Sequence, residues 1–430
     1  MRSVARFALS VGTAALFAGC RGSQAPMSAG VIPQASAIAS RTNSMNYKVV
    51  HSFVGAPDGQ NPYAGLIDVG GTLYGTTYSG GEYHRYGRSF GTVFSITPSG
   101  TERVLHNFGA GSDGISPHAS LIDVSGTLYG TTVGGSSHTC GSSSTGCGTA
   151  FSITPSGTEK VLHNFGSGPD GAHPAASLIE VNGTLYGTTA GGGDYYDCLG
   201  GCGTVFSITP SGTYKVLHRF HGYPNDGNRP VASLIEVKGK LYGTTAGGGP
   251  NQWGMVFSIT LSGREKVLHN FGGIDGGSPR AALIDVRGTL YSTTTFGGAG
   301  GDCNTYNKMC GTVFSITLSG TEKVLHRFGN GTDGNSPVAP LIKVKDTLYG
   351  TTEHGGAYSC ESYRQALVGG CGTVFSITPS GAEKVLHNFG SGTDGFFPGA
   401  ALSDVDGILY GTTEYGGDKY CCGTVFAFTP

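Results

Sequence analysis

Charge, tryptophan and long apolar runs are scarce in this sequence. Asp, Glu, Lys and Arg make up 13% of its 430 residues, about half of the usual roughly 25%. The formal net charge is −2, with no run of Lys or Arg, so the basic footprint of a nucleic-acid binder is missing. There is one tryptophan, Trp253. The N-terminal apolar stretch, Phe7 to Ala18, is too short to cross a bilayer. Glycine, by contrast, is abundant at 77 residues, well over twice its usual share. The balance describes a turn-rich, nearly neutral β protein.

What is there is repetition. Gly-Thr-Val-Phe, or a one-residue variant, ends at Phe94, Phe151, Phe206, Phe257, Phe314, Phe375 and Phe426. A period of about 50 residues marks a propeller, solenoid or array. Residues 119–165 show one unit with four β-like runs: Ala119 to Val124 (A), Thr127 to Thr132 (B), Gly148 to Thr154 (C) and Glu159 to Phe165 (D). Each run is short, rich in β-branched or aromatic residues and bounded by Gly, Pro or Ser. The A–B links, such as Ser125-Gly126 and Asn182-Gly183, are two-residue hairpin signals. Four antiparallel strands per unit make a propeller blade.

The ends of the chain argue for closure. The first recognisable strand, Tyr47 to Phe53, is of type D, and the last, Gly423 to Thr429, is of type C. Joining them completes the last unit and removes the edges an open array exposes; a solenoid needs no such permutation. The expected fold is therefore all-β, a seven-bladed β-propeller of four-stranded antiparallel blades over residues 47–430. It is closed by the N-terminal strand pairing with the C-terminal blade. Strand B repeats a glycine (Gly75, Gly130, Gly187, Gly243, Gly350, Gly411) that Ser292 interrupts. Interior strand glycine marks close approach, here expected to be a large side chain of the next blade.

Arg2 and Arg6 before Phe7 to Ala18 suit a signal peptide. The stretch ends Leu16-Phe17-Ala18-Gly19-Cys20 and resembles a bacterial lipoprotein box, with Phe17 where Leu is usual. That resemblance implies a lipoprotein signal over residues 1–19, acylation at Cys20 and anchoring to the outer membrane or cell surface. The alternative is an ordinary signal peptide cut between Gly19 and Ala37, leaving a secreted protein. Residues 20–46, rich in Ser, Ala, Pro and Gln, read as a flexible tether.

Of 11 cysteines, those other than Cys20 fall into local pairs: Cys140/Cys147, Cys198/Cys202, Cys303/Cys310, Cys360/Cys371 and Cys421/Cys422. In an exported chain these read as disulfides. The first four bridge within B–C loops. The adjacent Cys421 and Cys422 can bridge only in a strained geometry, so reduced thiols or intermolecular pairing remain open. Zinc at Cys198 and Cys202 would need further ligands that do not stand beside them. No metal or cofactor is expected.

Units reading Leu-Tyr-Gly-Thr-Thr, then Gly-Gly, then Gly-Thr-Val-Phe, with Asp-Gly and Pro in the following linker, resemble the GloVer-repeat proteins, exported bacterial proteins with a choice of anchor. The resemblance spans Tyr47 to Pro430. It implies export, surface anchoring and a propeller-like fold, and no established chemistry.

Seven histidines recur in strand D (His51, His106, His163, His218, His269, His326, His387) and seven aspartates in the D–A linker (Asp58, Asp113, Asp170, Asp226, Asp275, Asp333, Asp394). A catalytic pair is needed once; seven copies indicate a structural hydrogen-bond cluster in each blade, with a strand-B threonine as possible third member. Calcium in the Asp-Gly loops is the alternative, but one Asp per loop is thin for an ion that wants six to eight oxygens.

Function is sought where the copies differ, in the B–C loops. These carry Tyr83, His84, Arg85, Tyr86, Tyr195, Tyr196, Trp253, Tyr306, Tyr363, Arg364 and Tyr415, the makings of a binding surface; the alternative is that they merely cover the ring. A surface binding or adhesion module for glycan or peptide fits best. A polysaccharide hydrolase or lyase would need a singular carboxylate pair, and the loops offer Glu82, Asp194, Asp197, Asp302, Glu353, Glu361, Glu414 and Asp418 without a recognisable motif. Cys421-Cys422 resembles the vicinal disulfide of quinone-cofactor dehydrogenases, whose repeated Trp motifs are missing, and no sialidase-type Asp box stands in the C–D turns.

Overall fold

The structure, a computed structural model, describes residues 47–430 except 86–87, 139, 141–145, 167, 194–197, 199, 299–309, 330–331, 361–369 and 419–420. The leader, the tether and Cys20 lie outside the described residues. Seven antiparallel blades, each with four strands in the order A-B-C-D, form a β-propeller; the sheet of blade 2 gains a fifth strand, Ile115–Pro117, beside the end of its strand B. In blade 1 the strands are Ile67–Val69, Thr72–Thr77, Thr92–Ile96 and Glu102–Asn107. Blades 2 to 6 repeat the order. Blade 7 takes A to C from Ser403–Val405, Ile408–Thr413 and Thr424–Phe428. Its D strand is Tyr47–Ser52, paired from Tyr47↔Phe428 to Ser52↔Thr424. The permuted closure is present as expected.

Local chemistry explains the hairpins. Asp68, Asp123, Asp285 and Asp404 each accept the backbone N–H three residues on, at 2.9–3.0 Å. The central residues of the A–B turns have positive φ, for example 53° at Ser125 and 81° at Gly126, the conformation that suits a two-residue hairpin. In every C–D pair the register shifts by one residue, as between Val93 and Phe94, a bulge that re-aims the end of strand D.

The core is a set of seven seams. At each, the Phe after strand D of one blade meets the strand-C Phe of the next, edge to face. The pairs Phe53–Phe94, Phe108–Phe151, Phe165–Phe206, Phe220–Phe257, Phe271–Phe314, Phe328–Phe375 and Phe389–Phe426 have centroids 5.1–5.2 Å apart. All of these rings lie at 0–1% exposure, so each seam is a dry aromatic contact.

Two expectations need correction. The strand-B glycine makes room for its own blade, not the next: a Cβ on Gly75 would lie 2.6 Å from the Phe94 ring and 2.7 Å from Leu66, and Gly75 is the register partner of Phe94. In blade 5, Ser292 takes this place with its hydroxyl bonded to the carbonyls of Ala281 and Ala282 at 3.1 Å. The strand-B threonines do not join the His–Asp pairs. Thr76 donates to Ala119 O of the next blade at 3.3 Å, Thr412 closes the ring on Pro62 O at 2.9 Å, and Thr77 bonds Thr92 of strand C at 2.8 Å.

Strands A of blades 1 and 2, 4 and 5, 6 and 7, and 7 and 1 touch, so strand A is innermost and D outermost. Each D–A linker pairs with the start of its own blade's B–C segment, as in Gln60↔Ser79 and Asn335↔His354. Both sets of loops therefore crown one face.

Closure predicts that a chain beginning at Gly55, without strand D of blade 7, melts well below the full protein. Phe165→Ala, at an interior seam, should cost about 3–5 kcal/mol in urea unfolding. An unchanged midpoint for the truncated chain would contradict closure.

Candidate functional site

Two layers of polar residues differ in kind: one repeats around the outer seams, the other does not repeat and crowns the inner ring. In the first, every strand-D histidine faces the linker aspartate of its own unit. The Nε2–Oδ distances are 3.2 Å at His51–Asp58, 3.1 Å at His106–Asp113, 3.2 Å at His163–Asp170 and 3.5 Å at His218–Asp226. They are 2.8 Å at His269–Asp275, 3.1 Å at His326–Asp333 and 2.9 Å at His387–Asp394. The aspartates also cap their turns, as where Gly109 N–H donates to Asp113 at 3.1 Å.

A third member comes from the next blade, and attention to His and Asp alone misses it. It is the first residue of strand D, glutamate at five seams and tyrosine at two. Burial pushes the Glu102, Glu159, Glu265 and Glu322 carboxyls up to about 7 and Glu383 to about 6. The neighbouring aspartate raises each further, while His51, His106, His218 or His326 opposes at four seams and Arg327 at Glu322. At the other two seams Tyr214 stacks on His163 at 3.9 Å and Tyr47 on His387 at 4.0 Å. Tyr214 OH donates to Asp170 O at 3.0 Å. The recurrence of Glu two residues before Val-Leu-His is the sequence signal for this layer.

Of the predicted loop residues, Tyr83, His84, Arg85, Trp253 and Tyr415 are among those described. Trp253, 41% exposed, lies flat on the linker to blade 5, where a Cβ on Gly277 would touch its ring at 2.3 Å. It stands on the ring surface. Tyr83 is exposed, and His84–Arg85 forms a short ladder with Arg88–Ser89. Tyr415 is half-buried and stacks on Phe396 at 5.7 Å. Tyr86, Tyr195, Tyr196, Tyr306, Tyr363 and Arg364 lie outside the described residues.

Disulfides Cys140–Cys147, Cys198–Cys202, Cys360–Cys371 and the vicinal Cys421–Cys422 are formed. Cys310 is also disulfide-bonded, and Cys303 lies outside the described residues. Cys147, Cys202 and Cys371 are fully buried in the seams, so the bridges pin the returning ends of the loops into the core.

The second layer sits on the inner crown. Each strand A is preceded by Pro flanked by two variable positions: Asn61/Tyr63, Ser116/His118, His173/Ala175, Arg229/Val231, Ser278/Arg280, Ser336/Val338 and Phe397/Gly399. The backbone is the same in all seven, with φ of 51–61° at the first position. That residue's carbonyl accepts the N–H of the residue just after strand B, as in Tyr78 to Asn61, Glu353 to Ser336 and Glu414 to Phe397 at 3.0–3.1 Å. Fixed backbone carries unlike side chains.

They assemble into two walls. Across blades 7, 1 and 2, Tyr63 OH donates to Glu414 Oε1 and Asn61 Nδ2 to Glu414 O at 3.1 Å. Tyr63 stacks on His118 at 5.1 Å, with Tyr78 edge-on to Tyr63 at 5.4 Å. Burial holds the His118 imidazole below its usual pKa, opposed by a bond with the Ala175 backbone, so it is neutral at pH 7. Glu414 is 3% exposed. Across blades 4, 5 and 6 stand Arg229, Arg280, Glu353 and His354. The Arg280 guanidinium has its pKa lowered by burial and then by Arg229, with Glu353 opposing. His354 Nε2 lies 3.8 Å from Glu353. One wall is aromatic with a buried carboxylate; the other carries two guanidinium groups.

The seam glutamates predict a pH dependence. A carboxyl whose pKa is raised on folding stabilises the fold below its unfolded value, about 4.5, and loses that contribution as pH rises through about 7. In EDTA buffer the melting midpoint should fall between pH 5 and 8, and replacing Glu102, Glu159, Glu265, Glu322 and Glu383 by Gln should flatten the slope. A midpoint rising with pH would contradict the assignment.

Comparison with known proteins fits this architecture. A family model described as the Gloeobacter/Verrucomicrobia repeat matches residues 27–198 and 195–426, and the chain belongs to that family. No curated protein matches the sequence. Among solved structures, a streptogramin B lyase aligns with TM-score 0.54 and 14% identity over 89% of this chain and 97% of that one. The Pseudomonas aeruginosa periplasmic gluconolactonase PpgL aligns with TM-score 0.46 and 14% identity over 79% and 92%. A luciferin-regenerating enzyme aligns with TM-score 0.41 and 14% identity over 77% and 95%. At such identity the likeness is one of fold.

Proposed function

We propose that this member of the Gloeobacter/Verrucomicrobia repeat family is an exported, lipid-anchored binding module. Its ligand is an acidic glycan unit, held at the mouth of the axis. One observation carries the reading: the positions flanking the linker proline share one backbone in all seven blades yet present Tyr63, His118, Arg229 and Arg280 in different blades. Scaffold is copied and recognition is not. Aromatic faces take a sugar ring, and guanidinium groups take a carboxylate or sulfate. Tyr83 and Trp253 stand outside the mouth, where a longer chain would run. Acylation at Cys20, with residues 21–46 as tether, would hold the propeller at the cell surface.

A second reading is a polysaccharide hydrolase or lyase. It is favoured by the Tyr63–Glu414 pair beside a neutral His118, groups able to move a proton, opposite guanidinium groups able to steady an anion.

A glycan array with the soluble 47–430 fragment should find uronate-containing or sulfated chains over neutral glucans. Arg280→Ala should weaken binding about tenfold or more with an unchanged melting midpoint; Tyr63→Ala should weaken it similarly, with a lower midpoint because it removes a donor from the buried Glu414. His163→Ala should lower stability by about 1–3 kcal/mol and leave affinity alone. Unchanged affinity in both mouth variants would refute the site, and product released from the bound chain would favour the enzyme reading. Labelling with a fatty acid in a bacterial host, lost in Cys20→Ser, tests the anchor; label retained in that variant would refute it.

A further inference from the structure

At three seams one imidazole nitrogen and two carboxylate oxygens lie within 4.8 Å of one another: His51, Asp58 and Glu102; His218, Asp226 and Glu265; His269, Asp275 and Glu322. The glutamates reach in from the neighbouring blade, so each cluster straddles two sheets. Their Oε1 atoms are buried without a hydrogen-bond partner among the described residues, as are Asp58 Oδ1 and His218 Nε2. Buried acceptors are normally satisfied, and each exception calls for a cause. Glu159 and Glu383 carry the same orphaned Oε1 at the two seams where no such cluster forms, so it is the convergence of three ligand atoms that sets these seams apart, and there a cation would serve several acceptors at once.

We propose that these three seams are binding sites for a divalent metal ion of the zinc class, each held by one histidine nitrogen, one aspartate oxygen and one glutamate oxygen. The donor set selects the ion. One nitrogen with two oxygens suits zinc or cobalt, whereas calcium wants six to eight oxygens. Bonds of 2.0–2.2 Å on a tetrahedron set ligands about 3.4 Å apart, and the His–Asp distances here are already 3.2, 3.5 and 2.8 Å. The glutamate alone has to move inward. The histidine side chains keep 18–20% of their surface exposed, which gives the ion a way in and leaves the fourth position to water.

The protein supplies its own blanks. At the seams of blades 2–3 and 6–7, Tyr214 and Tyr47 stack on His163 and His387 where the carboxylate would stand. Those seams hold together without a third ligand. Glu159 and Glu383 provide the same residue types at the remaining two seams, but their ligand atoms do not form such a cluster.

The test is zinc stoichiometry on the metal-stripped full chain, by calorimetric titration with zinc alone and by elemental analysis after gel filtration. About three ions per chain are expected, matching the three clusters. Glu102→Gln, Glu265→Gln and Glu322→Gln should each remove one ion and the triple variant all three. Zinc should raise the melting midpoint of the wild type and not of the triple variant. Glu265→Tyr, which copies the natural tyrosine seams, should lose one ion while staying folded, so misfolding cannot imitate the result. Cobalt in place of zinc should give visible absorption that scales with the surviving sites. Stoichiometry that the triple variant leaves unchanged, or less than one ion bound to the wild type at micromolar zinc, would overturn the proposal.

Discussion

The structure depends on one contact, the edge-to-face meeting of two phenylalanines across each seam. A single blade has no core of its own. Its strand-C ring lies against the strand-B glycine on one side and receives the preceding blade's ring on the other, so burial is completed only between neighbours. Stability in such arrays is a sum of nearest-neighbour terms, and a ring spends none of them on an open end. The seventh term comes from Phe53 and Phe94, the pair at the seam between blade 7 and blade 1, and the N-terminal strand supplies it by completing blade 7.

The same seam explains the polar repeat. Bringing strand D of one blade beside the next places a histidine, an aspartate and the next blade's Glu or Tyr at the rim of the aromatic contact. Histidine and aspartate hydrogen-bond one another at six of the seven seams. The glutamate gains no partner of its own and holds its proton toward neutral pH through burial, whereas the tyrosine solves the same position by stacking. Two solutions at equivalent places show that the scaffold requires something that covers the imidazole, and leaves its chemistry free.

Strand identity, blade number and closure are legible in the sequence because seven noisy copies reinforce each other and because a D-type strand stands before the first A. Other features are not legible, for physical reasons. Gly75 announces a close approach but not its partner; only the register that sets it opposite Phe94 shows that the ring belongs to its own sheet. Glu265 and its equivalents look like solvated charge at the start of a strand until the neighbouring blade is placed against them. Tyr63, His118 and Arg280 are hidden differently: they flank linker prolines far apart in sequence, and Tyr63 and His118 meet only because the ring sets the starts of neighbouring strands A side by side. Divergence in loop length draws attention to Trp253 and Tyr83, while unlike side chains also stand on the repeated backbone before each strand A.

The molecule divides into a copied scaffold and an uncopied mouth. The most direct test is a crystal structure of the protein soaked with the acidic glycan that binds best. Ligand density over the axis, in contact with Tyr63 or His118 on one side and Arg280 on the other, is the expected result. Density confined to the outer loops around Tyr83 and Trp253, with the mouth filled only by solvent, would contradict it.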